Sequence, residues 1–403
     1  MGRWKLLAAL AAVTLFAAAC SPGASPVAKA PDVDWPFYGG DAGGQRYSAA
    51  AQITPANVRE LKPAWTYATG EAVRHAKELE RASFENTPIL AGGRLYVCSQ
   101  FDAVSAVDPG TGKELWAYDP KVDPKVDYPN DFTCRGVTYW RDTTVANDVR
   151  CSERIYVGTV DRRLIGLDAA TGAPCAGFGK AGVVDVGAGV ALEHSGQMQM
   201  TSPPVVVRDT LVVGSALDDN QRVKEISGAV RAYDIRTGAP KWSYDPLASA
   251  APGTVAGAAN AWAPLSVDEA RGLVFVPTSS ASPDFWGGAR NGPNGEANSV
   301  VALDAATGRV VWSFQTTHHD IWDFDVPAQP TLADVAYGGR TTPAVIQGTK
   351  QGLIFTLARD TGVPVIPVDE KPVPQGGAPG EKLSPTQPFP RAPAALGDRK
   401  SVV

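Results

Sequence analysis

One phrase that recurs along the chain constrains the fold more than any other feature. It has an aspartate, a threonine and a glycine at fixed positions, and three of its copies are followed by a tryptophan. The copies are Val107–Gly112 with Trp116, Leu167–Gly172, Tyr233–Gly238 with Trp242, Leu303–Gly308 with Trp312, and a weaker copy, Leu357–Gly362. A phrase that returns at long, similar intervals indicates an array of similar supersecondary units.

Each copy has the chemistry of a tight turn between strands. We expect the aspartate and threonine side chains to bond the turn backbone and the glycine to supply a positive φ. Short apolar strands precede the copies, at Arg94–Ser99, Arg154–Thr159, Thr210–Gly214, Leu273–Thr278 and Gly352–Leu357. Four strands per repeat with a tryptophan between neighbours are typical of a propeller blade. The sequence therefore predicts an all-β chain, a β-propeller with about five blades.

Composition agrees with this fold and narrows the possible partners. Glycine (41) and proline (33) are frequent among the 403 residues, as expected for an all-β protein with many turns. The formal net charge is −5, and no basic run interrupts the chain. Nucleic acid is therefore not an expected partner.

The first twenty residues have the pattern of an export signal. Arg3 and Lys5 precede an apolar stretch, and three alanines lead directly to Cys20. The triplet before a cysteine resembles a bacterial lipobox, although Ala17 stands where leucine is usual. We expect residues 1–20 to be a signal peptide, Cys20 to be lipidated, and residues 21–34 to tether a periplasmic domain to the membrane. Plain secretion is the alternative, and the stretch is too short to span a membrane.

Export places the remaining cysteines where disulfides persist. Cys98, Cys134, Cys151 and Cys175 allow three connectivities. We favour a bond between Cys134 and Cys151, because these two cysteines flank the short polar excursion 138–150. Free buried thiols at Cys98 and Cys175 are the alternative.

Several rarer phrases resemble, in the same order, those of the pyrroloquinoline quinone (PQQ)-dependent dehydrogenases, which are eight-bladed propellers. They include Tyr38–Asp41, Cys134–Val137, Thr201–Pro204 and His318–Pro327. Glu370–Gly376 and Pro385–Phe389 resemble the membrane-bound glucose dehydrogenase branch, which also includes quinate/shikimate-type enzymes. The resemblance implies a partial propeller over residues 35–389. Residues 390–403 resemble nothing in the family, so we expect a truncation or frameshift there and an inactive chain when it is alone.

The resemblance also implies a set of functional residues. Asp323 matches the aspartate that takes the substrate proton, and Lys350 matches the cation that hydrogen-bonds the quinone oxygens. Arg135 matches the arginine that pairs with a cofactor carboxylate, Trp262 the ring on which the cofactor lies, and Thr201 a threonine that bonds the cofactor. The implied reaction is PQQ-dependent oxidation of a sugar or polyol hydroxyl, with electrons passing to a membrane quinone.

A metal ion, Ca²⁺ or Mg²⁺, is part of the implied site. Asp323 and either Asp218 or Asp219 match acidic ligands, and oxygen ligands suit such a cation. Alcohol-oxidising relatives carry an amide where this chain has Ser279 and Ser280, and a hydroxyl is a poorer ligand. For His318 and His319 we expect hydrogen bonds that hold the loop carrying Asp323, with one histidine near the substrate, rather than metal binding.

A second class of protein shares the anchor and the repeats. Lipoproteins of bacterial outer-membrane protein assembly are also propellers with tryptophan repeats, and they act as scaffolds that bind other proteins. Only the set Arg135, Trp262, Asp323 and Lys350 separates the two classes, because a scaffold has no use for it. This set favours the dehydrogenase.

Overall fold

The computed structural model describes residues 33–218 and 220–396, which form strands and turns with almost no helix. It divides into a unit of residues 1–33 and 49–60 and a unit of residues 34–48 and 61–403. The described part of the first unit contains a 3₁₀ turn at Val58–Glu60. The export signal, Cys20 and most of the tether lie outside the described residues. Within the ranges described, no helix has the length and apolar character needed to cross a membrane.

The second unit contains two short helical turns and all the strands. The turns are α1 (Glu71–Arg74) and a 3₁₀ turn at Leu79–Arg81. The strands are β1 (Ala82–Ser83), β2 (Ile89–Ala91), β3 (Arg94–Cys98), β4 (Val104–Val107), β5 (Glu114–Tyr118), β6 (Phe132–Thr133), β7 (Thr138–Arg141), β8 (Glu153–Gly158), β9 (Arg163–Asp168), β10 (Val183–Asp185), β11 (Met198–Gln199), β12 (Val205–Val207) and β13 (Thr210–Val213). They continue with β14 (Ala216–Leu217), β15 (Val230–Asp234), β16 (Pro240–Tyr244), β17 (Ser266–Asp268), β18 (Leu273–Pro277), β19 (Ser299–Asp304), β20 (Val310–Gln315), β21 (Thr331–Tyr337), β22 (Arg340–Gly348), β23 (Ile354–Ala358), β24 (Val368–Pro372) and β25 (Thr386–Pro390).

The strands form successive antiparallel sheets in chain order. Among the described residues, four sheets have four strands each: β2–β5, β7–β10, β12–β13 with β15–β16, and β17–β20. A three-stranded sheet, β21–β23, follows, and β24 and β25 form a hairpin. The pairs β1 with β6 and β11 with β14 are short separate ladders. This succession of small sheets is the propeller-type architecture that the repeats predict.

The hydrophobic cores lie between consecutive sheets. In β8, Ile155 and Val157 pack into the core shared with the first sheet, whereas Tyr156 packs into the core shared with the third. The same alternation occurs in β18, where Val274 and Phe275 belong to different cores. Successive side chains of a strand point to opposite faces, so a sheet with neighbours on both sides buries every position. This explains why the inner strands read as continuous apolar runs.

The repeated phrase forms the turns that the sequence predicts. In the fourth sheet, the Asp304 carboxylate accepts hydrogen bonds from the Thr307 amide (2.9 Å) and hydroxyl (2.6 Å), and Gly308 has φ +72°. The Trp242 ring packs on Gly308, and its Nε1 donates to the Ala305 carbonyl at 2.9 Å. Trp116 and Trp312 make the equivalent contacts with the next sheet. The tryptophans therefore lock each sheet to the one that follows.

Substituting Gly308 tests this tryptophan contact. A Cβ atom there would lie 2.6 Å from Trp242, so Gly308→Ala combines the cost of a positive φ with overpacking. We expect a loss of about 2–4 kcal/mol in the free energy of unfolding, measured by denaturant titration. Gly339→Ala is the matched control, because its φ is +77° and nothing lies within 4 Å of the new atom. It should cost only about 1 kcal/mol, and equal losses would contradict the packing role.

The predicted disulfide between Cys134 and Cys151 is wrong. The bonds join Cys98 to Cys134 and Cys151 to Cys175. Cys98 ends β3 and shares a core with Cys134, because the first and second sheets stack face to face. The excursion 138–150 needs no disulfide, since the backbone amide at 142 donates to the carbonyl at 152 at 2.7 Å. Proximity in sequence was therefore misleading, and no cysteine from 98 to 175 is a free thiol.

Candidate active site

An open cleft of about 300 Å³ lies where loops from several sheets meet. Four of the predicted residues line it, and each precedes the first strand of a different sheet. They are Arg135 before β7, Thr201 before β12, Trp262 before β17 and Asp323 before β21. The repeat thus places equivalent loops side by side, although these residues are far apart in sequence.

Hydrogen bonds from loop to loop hold this arrangement. The backbone amide of Arg135 donates to the carbonyl of Thr201 at 3.0 Å. The hydroxyl of Ser202 in turn donates to the carbonyl of Trp262 at 2.6 Å. These bonds connect the second, third and fourth sheets next to the cleft, so the side chains stand on a rigid frame.

Two carboxylates and a lysine form the charged centre of the cleft. Lys350 Nζ lies 3.1 Å from Asp323 Oδ2 and 3.0 Å from Asp325 Oδ2. The lysine comes from the loop between β22 and β23, and its side chain is 32% exposed, compared with 30% for Asp323. Asp323 is therefore paired with a cation yet open enough to reach a ligand in the cleft.

The environment of Asp323 raises its pKa to about 6. Partial burial is the largest cause, and the nearby negative charge of Asp325 adds to it. Lys350 opposes both effects, because an adjacent cation favours the ionised carboxylate. A carboxylate with a pKa close to neutral is suited to accept a proton from a hydroxyl.

Asp325 is a residue of this centre that the sequence did not identify. Its carboxylate accepts hydrogen bonds from Lys350 Nζ, from Trp262 Nε1 at 3.0 Å and from the backbone amide of Ser280 at 2.7 Å. It therefore connects the lysine with the tryptophan. The available signal was a second acid two positions after Asp323, within a phrase already singled out.

Arg135 lies on the aromatic wall of the cleft. Its guanidinium is 5.1 Å from the centre of the Trp262 ring, donates to Thr201 Oγ1 at 2.6 Å and pairs with Glu85 Oε2 at 2.9 Å. Glu85, also missed by the sequence reasoning, shows that this guanidinium can bind a carboxylate in the cleft. A planar donor fork beside an indole ring suits a flat, carboxylate-bearing ligand.

The described residues do not assemble the expected metal site. Asp218 is buried outside the cleft lining, where its carboxylate accepts a hydrogen bond from Arg222 at 3.1 Å and contacts His194 at 2.7 Å. Asp219 lies outside the described residues. Within residues 33–218 and 220–396, no three His, Cys, Asp or Glu side chains are grouped to hold a metal. The assignment of Asp218 or Asp219 with Asp323 stays a prediction.

The two histidines tie the start of the Asp323 loop to its surroundings. His318 bonds Gln315 through Nδ1 at 2.7 Å and contacts Glu370 through Nε2 at 3.1 Å. His319 is buried and bonds the backbone carbonyl of Gly292 at 2.9 Å. The expectation that they hold this loop is confirmed, and substrate contact stays a prediction.

These features define a propeller-type protein with a charged cleft built from its inter-sheet loops. The family model for the PQQ-type glucose/ethanol/alcohol dehydrogenase β-propeller domain matches residues 35–402. The chain belongs to the PQQ-dependent dehydrogenase family.

Several relatives carry sugar, polyol or alcohol names. The chain is 40% identical to the quinoprotein glucose dehydrogenase of Escherichia coli over 91% of its length and 47% of that protein. It is 40% identical to the glycerol dehydrogenase large subunit of Gluconobacter oxydans over 90% of its length and 50% of that protein. The quinohemoprotein alcohol dehydrogenase structure from Comamonas testosteroni aligns with a TM-score of 0.69 and 28% identity, over 89% of this chain and 52% of that one. The chain thus spans about half the length of these relatives.

Proposed function

We propose that this chain contributes the base and much of the cofactor site of a quinoprotein dehydrogenase that oxidises a sugar or polyol hydroxyl. The observation that carries the proposal is the group Asp323, Lys350 and Asp325 beside Trp262 and Arg135. Relatives named glucose and glycerol dehydrogenase support the substrate class. A scaffold that binds other proteins would have no use for a half-buried acid pair around a lysine.

The cleft fits PQQ in size and in donor chemistry. Its volume of about 300 Å³ is at the lower end of the range for small-molecule sites. The Trp262 ring offers a stacking surface, the Arg135 guanidinium a partner for a cofactor carboxylate, and the Thr201 hydroxyl a further polar contact. PQQ, when bound, supplies a quinone carbon that accepts the hydride released as the alcohol becomes a carbonyl.

The side chains would then divide the remaining work. Asp323 takes the hydroxyl proton at its carboxylate, and Lys350 donates a hydrogen bond toward the quinone oxygen. Asp325 holds both Lys350 and the Trp262 indole in place. A Ca²⁺ or Mg²⁺ ion is part of the proposal only at the level of the family, and none of these roles depends on it.

Further parts of the proposal concern the whole protein. They are the closure of the propeller at eight blades, the lipid on Cys20, a periplasmic location at the membrane, and transfer of electrons to a membrane quinone. The family resemblance and the sequence of residues 1–20 support them.

Reconstitution tests the function directly. The full-length gene product, mixed with PQQ and Ca²⁺ or Mg²⁺, should bind the quinone and reduce an artificial dye with glucose, another aldose or glycerol as substrate. Quinate and simple alcohols in the same panel define the specificity. Failure to bind PQQ under all these conditions would refute the enzyme reading.

The acid limb of the pH profile should report the ionisation of Asp323. Because the base must be ionised, we expect kcat/KM to fall roughly tenfold per pH unit below about pH 6. Asp325→Asn removes a like charge, lowers the pKa of Asp323 and moves this limb to lower pH. Lys350→Met removes the cation, raises that pKa and moves the limb to higher pH. Shifts in the same direction for both variants would exclude Asp323 as the titrating group.

A further inference from the structure

Asp320 lies buried three residues before Asp323, in the loop between β20 and β21. Its carboxylate accepts hydrogen bonds from the backbone amides of Trp322 at 3.1 Å and Phe324 at 2.6 Å. These are the two amides on either side of Asp323. One side chain therefore holds the backbone both before and after the candidate base.

Two polar side chains from the fourth sheet fix Asp320 in turn. The Ser280 hydroxyl donates to Asp320 Oδ2 at 2.5 Å, and Asn298 Nδ2 lies 2.9 Å from the same oxygen. Asn298 Nδ2 also lies 3.1 Å from the Phe324 carbonyl. All three side chains are buried, so these bonds are shielded from water.

The loop has a reason to need this support. Asp323 has φ +58°, a left-handed conformation that is uncommon for residues other than glycine. Such a conformation persists where the surroundings over-determine it. The bonds to the amides at 322 and 324 supply that constraint, because they fix the peptide units on both sides of Asp323.

We propose that Asp320, held by Ser280 and Asn298, is a positioning residue that fixes the direction of the Asp323 carboxylate. This inference rests on the proposed function, since it concerns the orientation of the base. It also assigns a role to Ser280, which stands where alcohol-oxidising relatives carry a metal-binding amide. The Ser280 hydroxyl is directed to Asp320, and the Ser280 amide to Asp325, so this residue organises both acids of the centre.

Asp320→Asn is the principal test. An asparagine places an amide nitrogen where a carboxylate oxygen now accepts, so it cannot satisfy the Phe324 amide, Ser280 and Asn298 together. In the PQQ-reconstituted full-length protein, we expect kcat to fall roughly 10²-fold, the effect of a small misplacement of a catalytic group. The dissociation constant of PQQ should change less than about threefold, because Arg135, Thr201 and Trp262 are untouched.

Asp304→Asn is the matched control. Asp304 accepts bonds from the Thr307 amide and hydroxyl in the β19–β20 turn, so the same chemistry is lost outside the cleft. This variant should lose stability yet keep kcat within about twofold. Equal losses of kcat in the two variants would reduce Asp320 to a general structural role and overturn the proposal.

Two further measurements keep the inference testable if Asp320→Asn folds poorly. Ser280→Ala and Asn298→Ala each remove one support of Asp320 and should lower kcat roughly 3- to 10-fold. Hydrogen exchange of the Trp322 and Phe324 amides, followed in the protein without PQQ, should accelerate in all three variants. Unchanged exchange overturns this inference alone, whereas a wild-type protein that does not bind PQQ overturns the proposed function.

Discussion

Asp323→Asn is expected to lower kcat by about 10²- to 10⁴-fold while PQQ still binds. The asparagine keeps the shape of the side chain but cannot take a proton. Its contact with Lys350, now 3.1 Å long, would become a hydrogen bond to a neutral amide. Arg135, Thr201 and Trp262 would remain as they are, so the loss belongs to the chemical step. Steady-state dye reduction together with a quinone titration separates kcat from cofactor affinity.

Asp334→Asn provides the matched comparison for this substitution. Asp334 is exposed on β21, the strand that follows the Asp323 loop, and it has no place in the cleft. The same chemical change there should leave kcat and PQQ affinity within about twofold of the wild type. Full turnover by Asp323→Asn would show that another group accepts the proton, and Asp325 would then be the first to examine.

The fold was predictable because its signals are local. The turn at Asp304, Thr307 and Gly308 depends on residues within one short phrase, and Trp242 follows the preceding copy of that phrase at a fixed distance. Disulfides depend on distant contacts instead. The bond between Cys98 and Cys134 requires the first and second sheets to stack, which no spacing of cysteines reveals.

The candidate site divides along the same line. Arg135, Trp262, Asp323 and Lys350 could be named because each matches a phrase or position of a known family, and the structure brings them together. Their supports could not be named in this way. Glu85, Asp320 and Asp325 have roles that arise from three-dimensional contacts, such as the bond from Trp262 Nε1 to Asp325. Asp218 shows the reverse case, because a matching position does not ensure a free ligand.

Arg135→Ala is expected to weaken PQQ binding by about 10²-fold, which corresponds to roughly 3 kcal/mol. The guanidinium is largely buried between Glu85, Thr201 and the Trp262 ring, so its removal leaves a carboxylate and a hydroxyl without their donor. A cofactor carboxylate would lose a planar, charge-assisted contact at the same time. Arg135→Lys should fall between the two, because it keeps the charge but not the donor fork.

Arg46→Ala separates a specific effect from the loss of any arginine on an aromatic ring. Arg46 is exposed, and its guanidinium lies 4.8 Å from the centre of the Tyr38 ring, outside the cleft. Titration of PQQ by fluorescence quenching should give this variant a wild-type dissociation constant. Equal weakening by both alanine variants would mean that the general charge of the protein attracts the cofactor. A loss confined to Arg135, with kcat at saturating PQQ nearly kept, would place this arginine in cofactor binding and leave the chemistry to Asp323.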